Sequence, residues 1–404
     1  MPAAHGTSNS PVDRQDFSLL QMAALVFVVC TGFSSQMVMP LWIGAIIDDY
    51  GLSRSVAGSI GAAEMAVVAI VSFALAIRVH RFKARSTVLV GLVCLICGNL
   101  LAAFMTDPVA LTAARVLVGC GKGIVVTISF SLAAGTSHPI RAFAVLNASY
   151  ALFSTAFFLG MPAVIAAGGA SGCFAVLSAV SLVSLVAMTR YPERRMQGTD
   201  MHRISLRDIR GYGLVAFAAL IVLWIGHNAI WTFVERIGLG LDFTAGQIGQ
   251  VLSVAAFITI CGPSLARLID TRFGHTQPVL AAISLKVVIT LLLVYTTSQW
   301  MYAALVPAFL LLALFMLPYF QGILSLADPA GRLAAAASAA MTMGSSLGSL
   351  LGGWTADTFD YEGLGWVAAT SFVIVIVMVA MITRHLGSPS TRTAPVLEAQ
   401  REAG

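Results

Sequence analysis

Twelve apolar runs, each close to or above the length that spans a bilayer, leave this chain almost no way to fold in water. They lie at 19–47, 55–78, 86–105, 109–134, 140–168, 172–190, 212–236, 245–269, 278–297, 301–326, 333–356 and 364–386. A helix of about 20 residues crosses the roughly 30 Å of hydrocarbon. Only 10% of the 404 residues are charged and 58% are hydrophobic, whereas a soluble domain carries about 25% charged residues. An all-α integral membrane protein with twelve transmembrane helices is expected. Residues 1–18 are polar and lack the basic start of a signal peptide.

The basic residues orient the chain. With the N-terminus cytoplasmic, 18 of the 23 Lys and Arg fall in cytoplasmic pieces and only Arg54 and Arg236 fall in outer loops. Such a split is a positive-inside signal, so both termini are expected in the cytoplasm, with the protein multi-pass in the cell (inner) membrane. The remaining three cations, Arg115, Lys122 and Lys286, lie inside apolar segments. The longest polar interior stretch, 190–211, divides the chain six segments to six. The expected organisation is a tail at 1–18, a half at 19–189, a basic linker at 190–211, a half at 212–386 and a tail at 387–404. The linker reads equally as a short interfacial helix or as a solvated connector.

Several chemistries are excluded. "GCGKG" at 119–123 lacks the spacing of a phosphate loop, and "GFSSQ" at 32–36 ends in Gln where a nucleophile elbow needs Gly. No H-E-x-x-H occurs. The six cysteines all sit in apolar segments, as small buried hydrophobes do. Neither an enzyme, a metal site, a cofactor nor a nucleic-acid partner is expected.

The halves repeat. At an offset of 191 residues, Ser53 falls on Thr244, Gly58 on Gly249, and "RFK" at 81–83 on "RFG" at 272–274. Matches at one offset without a gap point to an internal duplication and two pseudo-symmetric six-helix halves.

The six-plus-six arrangement, the basic middle loop and three motifs resemble the major facilitator superfamily, over roughly 19–386. The loop after the second segment, "AIRVHRFKAR", keeps Arg81, Phe82 and Arg85 of the family's G-x-L-A-D-R-F-G-R-R, with His80 in place of the acid. Its second-half counterpart, "LIDTRFGH", carries Asp270, Arg272 and Gly274. In the family this cluster latches the halves in the outward-facing state, which implies that role for Arg81, Arg85, Asp270, Arg272 and Gly274. Arg115, Gly119 and Gly121 fit the fourth-helix motif R-x-x-x-G-x-G, whose arginine is associated with proton transfer. Gly344, Gly348, Gly352 and Gly353, and less fully Gly160 and Pro162, resemble the glycine motif of exporters; close helix packing explains the same pattern. The resemblance is to the proton-coupled drug/sugar efflux branch. It implies a secondary active transporter working by alternating access, a monomer whose partners are a small organic substrate, protons and lipid. A proton symporter importing a small anionic metabolite is the alternative.

Within the membrane Glu64 stands out. It lies about 10 residues into the second segment, hence about 14 Å deep. A carboxylate there either loads and releases protons or forms a static ion pair with Arg115 or Lys122. His227 interrupts the seventh segment opposite Gln36 in the repeat, and both are expected to face the cavity. It reads as a proton carrier or as a hydrogen-bonded packing residue, so Glu64, Arg115 and His227 are the proton-coupling candidates. Gln36, Lys122, Asn147, Tyr150, Trp224, Asn228, Trp231, Tyr319 and Gln321 are the substrate-cavity candidates, because amides and aromatic faces suit small organic ligands; aromatic belts explain some of the tryptophans equally well. Lys286, on the peripheral ninth segment, is expected to snorkel to the headgroups.

Overall fold

The computed structural model describes residues 17–78, 81–193, 211–269, 276–328 and 332–386. The described chain is helical throughout: α1 (Leu19–Met37), α2 (Met39–Tyr50), α3 (Arg54–Arg78), α4 (Ala84–Phe104), α5 (Pro108–Ala134), α6 (Pro139–Ala187), α7 (Gly211–Leu239), α8 (Ala245–Ile258), α9 (Cys261–Ile269), α10 (Gln277–Tyr295), α11 (Gln299–Ala327) and α12 (Arg332–Leu386). Twelve transmembrane crossings result, as the apolar runs predict. The first span is α1 and α2 together, and the eighth is α8 and α9. Two helices are double-length and bend back, so that α6 supplies spans five and six and α12 supplies spans eleven and twelve. An even number of crossings returns the chain to the side it began on. That side is called here the terminal face, and the opposite side the far face.

Local chemistry explains the breaks. Pro40 at the start of α2 removes a helical donor, and the first span is interrupted at Val38. The buried Ser35 carbonyl accepts from the Trp42 indole N–H at 3.0 Å. The bend in α6 falls on Gly169, at φ 61°, a conformation that glycine adopts without steric cost. Asp49 then caps the second limb, its carboxylate accepting from the Ala170 N–H at 2.6 Å. In α12 the bend falls at Phe359 and Asp360. Thr244 opens α8 with a capping box to Gln247.

The two halves meet along a seam, and the duplicated glycines mark it. A Cβ on Gly58 (α3) would lie 2.6 Å from the Ser349 carbonyl and 2.9 Å from the Gly353 Cα, both on the first limb of α12. Its repeat partner Gly249 (α8) presses on Phe158 and Pro162 of the first limb of α6. Each half thus presses its copy of the duplicated glycine on the other.

The buried core is continuous across this seam towards the far face, joining Trp42, Ile46, Ala57 and Phe158 to Phe233, Ile237 and Ile248. Towards the terminal face the first half keeps a separate core, built on Leu25, Val28, Val88, Ile128 and Leu132. Among the described residues the halves are therefore fused at one end and divided at the other.

Candidate functional site

The glycines around the two cations of α5 let neighbouring backbones in. A Cβ on Gly119 would stand 2.6 Å from the Glu64 carbonyl, and one on Gly123 2.9 Å from Val71, so both face α3. Gly121 faces α4 at Leu95. The α5 stretch between Arg115 and Lys122 is clasped on two sides, and this close approach brings Glu64 to Arg115.

Both side chains of that pair are fully buried. Arg115 Nη2 donates to Glu64 Oε2 at 2.5 Å and Nε donates to the same oxygen at 3.1 Å. Nη1 donates to Asn99 Oδ1 on α4 at 2.8 Å, and Nη2 also meets the Ser35 hydroxyl. Ser35 in turn donates to the Glu64 carboxylate at 2.9 Å. Two rings cover the guanidinium, with centroids 4.8 Å away at Trp42 and 5.2 Å away at Phe174. Spans one, two, three, four and six of the first half converge on this knot. Arginine keeps its charge at any accessible pH, so a carboxylate here both neutralises it and is neutralised by it.

Two turns along α5, Lys122 is also buried. Its Nζ donates to Gln36 Oε1 at 2.5 Å and contacts Met65 Sδ at 3.5 Å. Its nearest ring is Phe33, 5.8 Å away, and Tyr150 meets Phe33 edge-on at 5.5 Å. The cations read adjacent positions: Arg115 takes Ser35 and Glu64, Lys122 takes Gln36 and Met65. Glu64 is thus the ion-pair partner of Arg115 rather than of Lys122.

The remaining candidates scatter. Asn147 and Gln321 are exposed, whereas Trp224 is half-buried. Trp231 meets Phe158 of the other half edge-on at 6.0 Å. Asn228 is buried and spends its amide on the Ser345 carbonyl at 2.9 Å and the Ser349 hydroxyl at 2.7 Å. The Tyr319 hydroxyl donates to the Ala266 carbonyl at 3.1 Å. His227, on α7, packs against Lys286 of α10 and Phe309 of α11, within the second half. Lys286 departs most from expectation. It does not reach the headgroups but turns inward, fully buried, to His227.

The glycines of span eleven have a plain structural use. Gly344, Gly348 and Gly352 seat α12 on α7 at Ile221, Ile225 and Ala229, while Gly353 faces Arg54 and Gly58 across the seam. A Cβ on Gly160 would meet nothing within 4 Å.

Sequence reasoning missed a second ionic site, at the far face. Asp357 of α12 accepts from the backbone N–H groups of Arg54 at 3.0 Å and Ser55 at 2.8 Å, capping α3 from the other half. Arg54 itself donates to the Ala356 carbonyl at 2.7 Å and to Asp360 at 2.6 Å, and lies 4.2 Å over the Tyr361 ring. Arg236 grips Asp48 through two hydrogen bonds of 2.8 and 2.7 Å, with Glu235 3.0 Å from its Nε. Arg54 and Arg236 were the signal: they are the two basic residues that break the positive-inside pattern. Of the expected latch, Arg81 and Arg85 lie at the terminal face beside the start of α4, and Asp270, Arg272 and Gly274 lie outside the described residues.

The family profile described as Major Facilitator Superfamily matches residues 24–337. Among solved structures, the chain is similar to a bacterial homologue of the human lysosomal transporter Spinster, in an inward-facing and unoccupied conformation, with a TM-score of 0.69 and 14% identity over 91% of this chain and 97% of the other. It is similar also to the nucleoside transporter NupG, with a TM-score of 0.74 and 11% identity over 90% of this chain and 99% of the other. No curated protein sequence matches it.

Proposed function

This chain belongs to the major facilitator superfamily, whose members carry small molecules across membranes as single chains, and from that premise we propose that it is a proton-coupled exporter of a neutral or weakly acidic small organic molecule. The observation that carries the proposal is the sealed Glu64–Arg115 pair. Protonating Glu64 would remove the charge partner of Arg115, so proton arrival and rearrangement of five spans become one event. The halves then alternate: the far-face ion pairs hold the state described here, with the terminal face divided, and the loop cluster with Arg81, Arg85, Asp270, Arg272 and Gly274 holds the opposite one. With both termini cytoplasmic, the described state is inward-facing. Lys122 with Gln36, Phe33 and Tyr150 is the proposed substrate contact; Arg115 and Lys122 disfavour permanent cations. Export rests on the exporter-like glycines of span eleven.

One observation favours a second reading. The Lys122 ammonium has an amide and a thioether for partners rather than a carboxylate, which suits an anionic substrate group and import by symport.

The test is a panel of small organic compounds in cells with and without the protein, and in proteoliposomes with an imposed pH gradient. Lower cellular accumulation with the protein, abolished by an uncoupler, is expected. Higher accumulation lost on uncoupling establishes import instead, and flux indifferent to the pH gradient removes the proton.

A further inference from the structure

The second half buries a cation that the proposed transport cycle does not use. Lys286 has no exposed surface, and three elements close over it. From α7, His227 Nδ1 stands 2.9 Å from its Nζ. From α11, the Phe309 carbonyl accepts from Nζ at 3.2 Å, and the Phe309 ring lies 3.9 Å away. From α12 comes the Phe372 ring, at 5.3 Å. His227 stacks on Phe309 at 4.8 Å and meets Trp224 edge-on at 4.8 Å.

No carboxylate bonds to Lys286 among the described residues. The titratable and charged groups of the packed elements lie towards their ends. On α7, Glu235 is eight positions beyond His227, about 12 Å along the axis, with Arg236 next to it, and Tyr212 lies near the other end. On α10, Tyr295 is nine positions away. On α11, the Tyr302 and Tyr319 hydroxyls donate to the Val234 and Ala266 carbonyls. On α12, Asp357, Asp360, Tyr361 and Glu362 cluster at the bend and Arg384 sits near the end, each ten or more positions from Phe372.

We propose that Lys286 and His227 form a proton-binding dyad that holds a single proton, loaded through the imidazole. Two nitrogens at hydrogen-bonding distance share one hydrogen, and a second proton would set two like charges side by side with no anion to offset them. The cage accepts the charged amine: two ring faces and a carbonyl surround Nζ. The way in is also set by burial, because Lys286 is fully enclosed while His227 keeps 6% of its surface exposed. Loading balances without another reactant. In the empty dyad His Nδ1–H donates to the neutral amine. A proton arriving at Nε2 is matched by transfer of the Nδ1 proton to Nζ, which leaves an ammonium donating to Nδ1 of a neutral imidazole. Release runs the same steps backwards. This deepens the proton-coupled reading and rests on it for the use made of the proton, but not for the binding.

Trp224 supplies the readout, since its indole meets the His227 ring edge-on at 4.8 Å and its emission shifts with the positive charge that loading places one hydrogen bond beyond that ring, on Lys286 Nζ. Emission of the full-length protein in nanodiscs is titrated from pH 4 to 10, and the component lost in Trp224→Phe is isolated. One step is expected in the wild type. It should move in His227→Gln, where the amine keeps only the Phe309 carbonyl as a partner, and vanish in Lys286→Arg, whose guanidinium releases no proton. In Lys286→Met the imidazole titrates alone, and the midpoint should move by at least one pH unit. Absence of a step in the wild type overturns the dyad, as does an unmoved midpoint in Lys286→Met. Should Lys286→Met fail to elute as folded protein, an unchanged step in Lys286→Arg overturns it equally. A dyad that titrates as expected in a protein whose flux ignores the pH gradient stands, and the coupling proposal falls instead.

Discussion

Replacing Glu64 with Gln tests whether the knot in the first half holds that half together. Arg115 would lose the oxygen that receives two of its donors, at 2.5 and 3.1 Å. Asn99, Ser35 and the faces of Trp42 and Phe174 would remain. Breaking a buried pair by removing one partner costs about 3–5 kcal/mol. The glutamine carbonyl still accepts one bond, and a ring contact contributes about 0.5–2 kcal/mol, so Glu64→Gln belongs near the lower end. Arg115→Met belongs near the upper end, because Ser35 alone would then serve the carboxylate. Removing both charges together leaves no buried ion, so the double variant should be less destabilised than the sum of the singles by roughly 2 kcal/mol or more. Unfolding free energies in mixed micelles, checked by size-exclusion profile, give all three numbers. Single variants within about 1 kcal/mol of wild type, or a strictly additive double variant, would refute the reasoning.

Lys122→Gln is expected to weaken binding of an anionic substrate more than of its neutral analogue, by the roughly 1.5–3 kcal/mol of a hydrogen bond to a charged group; equal losses in binding assays would count against Lys122 as a substrate contact. Asp360→Asn should open the far face only slightly, since an exposed pair is worth about 0.2–1 kcal/mol, whereas Asp357→Ala removes two backbone hydrogen bonds across the seam and should raise impermeant thiol labelling of a cysteine at Trp231 several-fold more. Gly353→Leu should keep the far face from closing, because even its Cβ would lie 2.6 Å from the Arg54 carbonyl; loss of transport with retained folded yield is the expected result, and normal flux would contradict it. Cysteines placed at Asp107 and Glu193 should label from opposite sides of the membrane in a cysteine-free background.

Helix number and the two sharp returns were legible in the apolar runs, because a bilayer admits few lengths. The ion pair was half legible: depth singled out Glu64 and opposite charge suggested Arg115, but Ser35 and Asn99 gave no comparable signal, since small polar residues occur throughout membrane helices. Repetition revealed Gly58 and Gly249, yet only packing gave them a role at the seam. Lys286 was misjudged from the place of its segment in the order of spans. That order says which helices are peripheral and not which way one side chain points, and each residue turns the direction by about 100°. Arg54 and Arg236 were visible as exceptions to the charge pattern, but Asp48, Asp357 and Asp360, which they meet, come from the opposite half and no local spacing links them.

Pairing Glu64 with Arg115 also sets a schedule for synthesis. The arginine follows the acid by 51 positions. At about 5–20 residues per second, the second span waits roughly 3–10 s at the translocon before its counter-ion is made. A charged side chain at the centre of an inserted helix costs about 2.5–3.5 kcal/mol, so α3 should linger beside the translocon or enter the lipid as the neutral acid. Nascent chains arrested after the third span should therefore show incomplete insertion of α3, and chains extended through the fourth should show full insertion. In Glu64→Gln the two lengths should insert alike.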